Sequence, residues 1–196
     1  MPEGLTIARS ELILGGQKSG KSRRADRLAS AWLAQSLQHR AVLIAPAHAG
    51  DDEMRQRIAR HQQDRAARVP DMVTIEEPLA LAEAITQHAN TQTLVLVDCL
   101  TLWLTNWLFP GAEFKKNRPL APDISAQAAM LLIAFKKLPG PVVIVSNEIG
   151  LGVIPMGQPT REFVDTLGRL NQDVAAASER VTFMAAGLPL TLKGQS

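Results

Sequence analysis

The chain predicts an α/β fold: a mostly parallel sheet with helices on both faces. Three observations carry that expectation. The apolar runs "ELIL", "AVLIA", "TLVLVD" and "PVVIVS" are continuous rather than alternating, as strands covered on both faces are. Stretches with helical spacing separate them, which calls for right-handed crossovers between parallel strands. The first run opens directly into the glycine loop "GGQKSGKS", residues 15–22, and a helical stretch follows.

Each element has its own reason. Residues 1–10 read as a loose N-terminal extension to one domain over 11–196, with no repeat or internal boundary. Residues 11–14 form the opening strand, and 21–37 follow with Ala25, Leu28, Ala29, Trp32 and Leu33 on one helical face. The second strand is 41–45, and 51–67 is a charged helix whose acidic start suits its positive end. A short strand at 72–75 and an alanine-rich helix at 78–89 precede the strand 93–98, which ends in an acid. "CLTLWLTNWL" is a hydrophobic helix or turn, 109–122 an irregular connection, and 124–137 a further helix. The strand 141–146, a Gly/Pro loop at 150–159, a long helix at 160–178 and short strands at 180–186 and 190–193 close the chain.

Composition narrows the function. With 46% hydrophobic and 20% charged residues, the 196-residue chain has the make-up of a soluble globular protein with one substantial core. A net charge of +2 and 4% aromatics give no ground for a nucleic-acid partner. The clustered arginines and lysines suit a small polyanion instead. One cysteine, Cys99, leaves no internal disulfide framework. With no apolar run long enough for a membrane span and no leader-like apolar segment, a cytoplasmic location is expected.

Gly15, Gly20, Lys21 and Ser22 satisfy G-x-x-x-x-G-K-[ST] in strand–loop–helix context. Such a loop, here Gly15, Gly16, Gln17, Lys18, Ser19 and Gly20, turns backbone N–H groups inward around phosphate oxygens at a helix start. Lys21 then reaches the terminal phosphates, and the Ser22 hydroxyl ligates magnesium. Asp98 ends an apolar strand, where such folds place a second magnesium-directed carboxylate, although an acidic turn residue would look the same. In "DDEMRQRIARHQQDR", His61 extends the apolar stripe of Met54 and Ile58, which periodicity alone reads as a boundary histidine. Arg57, one turn earlier, would favour a neutral imidazole, the form able to attack phosphorus.

Four ordered blocks carry a resemblance. They are "GGQKSGKS"; "DDEMRQRIARHQQDR"; "TIEEPLAL" followed by "VLVDCLTLWLTN"; and "VSNEIGLGVIP" with the sequence from Arg161 to Lys193. From Glu11 to Lys193 the chain resembles the bifunctional adenosylcobinamide kinase/adenosylcobinamide-phosphate guanylyltransferases of cobalamin biosynthesis. The resemblance implies a RecA-like P-loop NTPase fold, a homotrimer, and ATP or GTP with Mg²⁺ as phosphoryl donor to adenosylcobinamide. It further implies that GTP guanylylates His61 and that adenosylcobinamide phosphate then takes the GMP. By position, it implies guanine-nucleotide contacts at Ala45, Pro46, Ala47, Gln62, Gln63, Asp64, Arg65, Glu76 and Asp98, with Glu77 adjacent to Glu76 as the other choice. The turn "LIAPAHAG" departs from the family pattern, and Pro46 lacks the N–H another residue would offer. Two rivals remain: another small-molecule P-loop kinase with a structural His61, and a nucleotide switch without turnover.

Overall fold

A computed structural model of the chain describes residues 5–47, 52–110 and 123–195. Seven strands form one sheet: β1 (Ser10–Gly15), β2 (Arg40–Ala45), β3 (Met72–Glu76), β4 (Thr93–Asp98), β5 (Val142–Val145), β6 (Arg180–Ala185) and β7 (Leu188–Lys193). Their order is β3-β2-β4-β5-β1-β6-β7. Every neighbouring pair is parallel except β6 and β7, a closing antiparallel hairpin. Among the described residues six helices connect them: α1 (Lys21–Leu33), α2 (Asp52–Arg68), α3 (Leu81–His88), α4 (Leu100–Leu108), α5 (Ile124–Lys137) and α6 (Gln158–Ala177).

The continuous apolar strands resolve into two faces because successive side chains point to opposite sides of a sheet. Leu12 and Leu14 of β1, with Val95 and Val97 of β4, face the core made with α3, α4, α5 and α6. Ile13, Leu94 and Leu96 face the other way, onto Ala25, Leu28 and Ala29 of α1 and onto Val69 just past α2. Helices therefore cover both faces, as expected for buried parallel strands.

Several boundaries differ from the spacing-based expectation. α1 stops at Leu33 rather than continuing to residue 37. At its end Trp32 stacks on His39 with ring centroids 3.6 Å apart, and the indole N–H donates to the Arg40 carbonyl at 3.0 Å. α3 starts at Leu81 instead of residue 78, because the Glu77 carboxylate accepts from the Leu79 and Ala80 N–H groups and organises the turn before the helix. "LTLWLTNWL" is helix α4, burying Leu100, Trp103, Leu104 and Trp107. α6 begins at Gln158, inside the expected Gly/Pro loop, with proline in its first turn where no N–H is needed. Asp123 caps α5 by accepting from Ser125 N and Ala126 N. Asp51, His48 and most of the 109–122 connection lie outside the described residues.

Residues 5–9 carry no regular structure, but Leu5 and Ile7 pack against the α1 side of the core. The Arg180 guanidinium donates to Thr6 Oγ1 at 2.9 Å from the neighbouring part of the sheet.

Candidate active site

β1 ends at Gly15, and the chain turns through residues 16–20 before α1 begins at Lys21. Gly15 has φ 147°, and a Cβ there would stand 2.4 Å from the Met184 carbonyl oxygen, so only glycine fits. Gly20 caps α1 in the left-handed region (φ 104°) with no side-chain cap, so the first helical N–H groups stay available to an anion. Gln17 and Lys18 are exposed on the loop. The β6–β7 turn braces it from behind: Gly187 N donates to the Ser19 carbonyl at 2.9 Å, and a Cβ on Gly20 would meet Gly187 Cα at 3.1 Å.

Inside this loop Lys21 is buried, and its ammonium donates to the Gly16 carbonyl at 2.6 Å. Burial lowers the Lys21 pKa from its ordinary 10.5, against the opposing pull of Cys99 and Asp98. Because Cys99 is itself held as a thiol to about 11, Asp98 supplies the attraction at neutral pH. The Ser19 hydroxyl is buried with no hydrogen-bond partner among the described residues. A buried unsatisfied hydroxyl beside a folded-back lysine is what a loop shaped for phosphate oxygens contains.

The carboxyl edge of the sheet gathers the other expected residues. Ala45 pairs in register with Glu76 across β2 and β3, and Asp98 ends β4 on the other side of β2. β5 separates β4 from β1, so Asp98 stands one strand away from the glycine loop. The Glu148 N–H, just past β5, donates to the Gly15 carbonyl at 3.1 Å and ties that gap together. The peptide bond between Asp98 and Cys99 is cis.

α2 touches this edge through Gln62 and Arg65. His61, Gln62, Gln63 and Asp64 are exposed, whereas Arg65 is buried. Arg65 donates Nε to Asp26 Oδ1 at 3.0 Å and Nη2 to Asp98 Oδ2 at 2.6 Å. Burial alone would lower the Arg65 pKa, but the carboxylates of Asp98 and Asp26 outweigh it and raise it. Gln62, next to His61, donates to Glu76 Oε1 at 3.2 Å. Of the adjacent pair, Glu77 accepts from two backbone N–H groups, and Glu76 is exposed beside Gln62. The side chains of Met54 and Arg57, on which the stripe and the neutral-imidazole arguments rest, lie outside the described residues.

Asn106, Thr101, Asn147, Asn171 and Asp26 contribute without having been singled out by spacing or motif. Asn106 of α4 donates to the carbonyls of Pro46 (2.8 Å) and Pro78 (3.1 Å), joining the turns after β2 and β3. Nothing in "LTNWL" marks an asparagine as such a clamp. Asn147 N donates to Thr101 Oγ1 at 3.0 Å, and Asn171 Nδ2 donates to the Asn147 carbonyl at 3.0 Å, so α4, β5 and α6 meet at one polar knot. Asp26 does leave a signal: it is a carboxylate flanked by Ala25, Leu28 and Ala29 on the face of α1 that turns inward.

The donor set fits magnesium. Among the described residues no three His, Cys, Asp or Glu side chains cluster to cage a metal. Mg²⁺ rarely needs a protein cage; it keeps waters and phosphate oxygens and takes one or two protein oxygens. The Ser22 hydroxyl on the first turn of α1 and the Asp98 carboxylate are oxygens of that kind.

A parallel sheet with a glycine loop after β1, a buried lysine opening α1 and a carboxylate ending β4 defines a P-loop NTPase. The solved flagellar accessory protein FlaH of Methanocaldococcus jannaschii superposes with a TM-score of 0.52 at 10% identity, covering 99% of this chain and 82% of its own. A second solved structure, an ATPase domain, does so with a TM-score of 0.50 at 15% identity, covering 91% of this chain and 70% of its own. These likenesses concern the fold alone. More specifically, the chain belongs to the cobinamide kinase / cobinamide phosphate guanyltransferase family, whose model matches residues 11–192. The bifunctional adenosylcobalamin biosynthesis protein CobP of Pseudomonas aeruginosa is 48% identical over 186 residues, 94% of this chain and 98% of that protein. Its counterpart CobU of Escherichia coli is 34% identical over 187 residues, 93% of this chain and 98% of that protein.

Proposed function

We propose that this chain phosphorylates adenosylcobinamide and then converts the product to adenosylcobinamide-GDP, using one phosphate loop for both nucleotides. The observation that carries the reading is the Gln62–Glu76 contact at 3.2 Å, which joins the helical turn bearing His61 to a carboxylate at the sheet edge. Guanine offers two adjacent donors, a ring N–H and an amino group, and an ionised carboxylate only accepts, so Glu76 suits the base of GTP.

In the first half, Gly15 to Ser22 hold the triphosphate, and Lys21 and the α1 start stabilise charge on the transferring phosphoryl group. The aminopropanol hydroxyl of adenosylcobinamide forms the new bond to the γ-phosphorus, the bridging oxygen leaves with the nucleoside diphosphate, and the hydroxyl proton goes to solvent. Magnesium, held by Ser22 and Asp98, supplies further charge neutralisation when bound.

In the second half a lone pair of the His61 imidazole forms an N–P bond to the α-phosphorus of GTP. The bond to the β-phosphate bridging oxygen breaks, and pyrophosphate leaves with the electron pair. A phosphate oxygen of adenosylcobinamide phosphate then attacks the same phosphorus, and the N–P electrons return to the imidazole. Dividing one displacement into two is what a nucleophilic residue contributes. Gln62, Gln63 and Asp64 flank the nucleotide from α2, Ala45, Pro46 and Ala47 from the turn after β2, and Arg65 reaches the site through Asp98. A homotrimer, readable by sedimentation equilibrium, and a cytoplasmic location belong to the same reading. Among the described residues no helix is long and apolar enough to cross a membrane.

Product analysis with adenosylcobinamide, ATP and GTP tests the reading. The parent protein is expected to yield adenosylcobinamide-GDP, and His61→Ala to stop at adenosylcobinamide phosphate. A His61→Ala protein that still forms the GDP product would remove His61 from the chemistry. A parent that forms neither product would leave only a switch.

A further inference from the structure

Helix α2 carries His61, and its described side chains offer the body of the protein little apolar surface. Among its described side chains Arg65 is buried and Ile58 half-buried, while the rest are exposed. What fixes the helix is charge. Arg65, one turn after His61, grips Asp26 at 3.0 Å and Asp98 at 2.6 Å. Arg68 adds an ion pair to the second Asp26 oxygen at 3.0 Å. The Asp26 side chain is only 2% exposed and lies one turn after Ser22 on the phosphate-loop helix.

Stability alone does not call for this arrangement. Burial raises the Asp26 pKa despite both arginines, so the carboxylate is held there against its own preference for water. Its neighbours Ala25, Leu28 and Ala29 are buried and apolar. Replacing a buried ion pair with apolar residues of like volume is often neutral or stabilising. A planar guanidinium gripped by two carboxylates does something apolar packing does poorly: it sets both the distance and the orientation of the element carrying it.

We infer that Asp26 is a positioning residue for guanylyl transfer, indexing α2 and thus His61 to the triphosphate through the buried Asp26–Arg65–Asp98 chain. The inference rests on the proposed function, in which His61 accepts the guanylyl group. Attack at the α-phosphorus needs in-line placement, and a misplacement of about 1 Å costs on the order of 100-fold in rate. Phosphorylation of adenosylcobinamide does not pass through His61. Asp26 therefore matters to one half of the reaction and not to the other.

Asp26→Asn tests this, because it keeps the shape and an acceptor oxygen but removes the charge. His61 labelling is followed in a single turnover with GTP carrying ³²P at the α-position, beside phosphorylation of adenosylcobinamide by ATP. The expected result is a labelling rate lower by about 10- to 100-fold with phosphorylation unchanged. Equal labelling overturns the inference. So does a parallel loss of both activities, which would make Asp26 a general support of the loop. Should Asp26→Asn not fold, Asp26→Ala removes the carboxylate and leaves Arg65 and Asp98 in place. If it melts near the parent's temperature, labels slowly and phosphorylates adenosylcobinamide as the parent does, the inference stands; if it labels as fast as the parent or loses both activities together, the inference fails. A parent that takes no label fails the His61 reading itself, which is distinguishable from a labelled parent with an equally labelled variant.

Discussion

Cys99 follows Asp98 directly, yet its environment is the opposite of a reactive thiol's. It is buried, and burial together with the Asp98 charge pushes its pKa from 9.0 to about 11, more than the hydrogen bonds from Leu102 and Thr101 offset. A raised acid stays protonated in the folded protein after the unfolded chain has lost its proton. Its stabilising effect is complete below pH 9.0 and disappears as pH rises through about 11. Folding stability should therefore fall across that interval in denaturant titrations, and the native thiol should resist alkylation at a pH of about 8.5, near the ordinary cysteine pKa. Rapid alkylation of native protein, or a pH dependence that a Cys99→Ala variant keeps unchanged, would contradict this. Lys21, in the phosphate loop itself, is also buried, and burial lowers its pKa. A triphosphate arriving there supplies the negative charge that offsets the burial of the ammonium.

At the level of elements, the phosphate loop is held by a second buried charge cluster at its root. Glu11 on β1 is 1% exposed and accepts from Arg24 of α1 at 3.0 Å, from Arg180 of β6 at 2.8 Å, and from Thr182 Oγ1 at 2.8 Å. One carboxylate thus joins the strand before the loop, the helix after it and the neighbouring strand. Removing it leaves a buried Arg180 without its carboxylate, and breaking a buried pair from one side costs about 3–5 kcal/mol. Glu11→Ala should lose about that much in denaturant unfolding. A loss near the level of an exposed pair, about 0–1 kcal/mol, would show that the cluster is solvated. Little of this is legible in the sequence. Glu11 reads there as an acid opening an apolar strand, because its partners lie 13 and 169 residues away. The strands, α5 and the glycine loop are legible because their signals are local: continuous apolar runs, helical periodicity and glycine spacing. Spacing over-extends α1 because the Trp32–His39 stack at its end has no local signature. The separation of Glu76 from Glu77 is also out of reach, since it depends on which carboxylate the backbone of the next turn consumes.

Across the whole molecule, the proposed function asks two features distant in sequence, a loop at residues 15–22 and a histidine at 61, to serve one site. β1, β2, β3 and β4 run parallel and deliver their carboxyl ends to one edge, where ligands of such sheets collect. Helix α2 is tied to that edge through Arg65. The most direct measurement is covalent labelling with GTP carrying ³²P at the α-position, followed by acid and hydroxylamine treatment and peptide mapping. An acid-labile label is expected on the peptide containing His61 in the parent protein, and none in His61→Ala. Labelling should fall by about 10- to 100-fold in Lys21→Ala, the range expected from losing one charge-assisted contact to the triphosphate. A label on another residue, or labelling of Lys21→Ala at the parent's rate, would contradict the shared site.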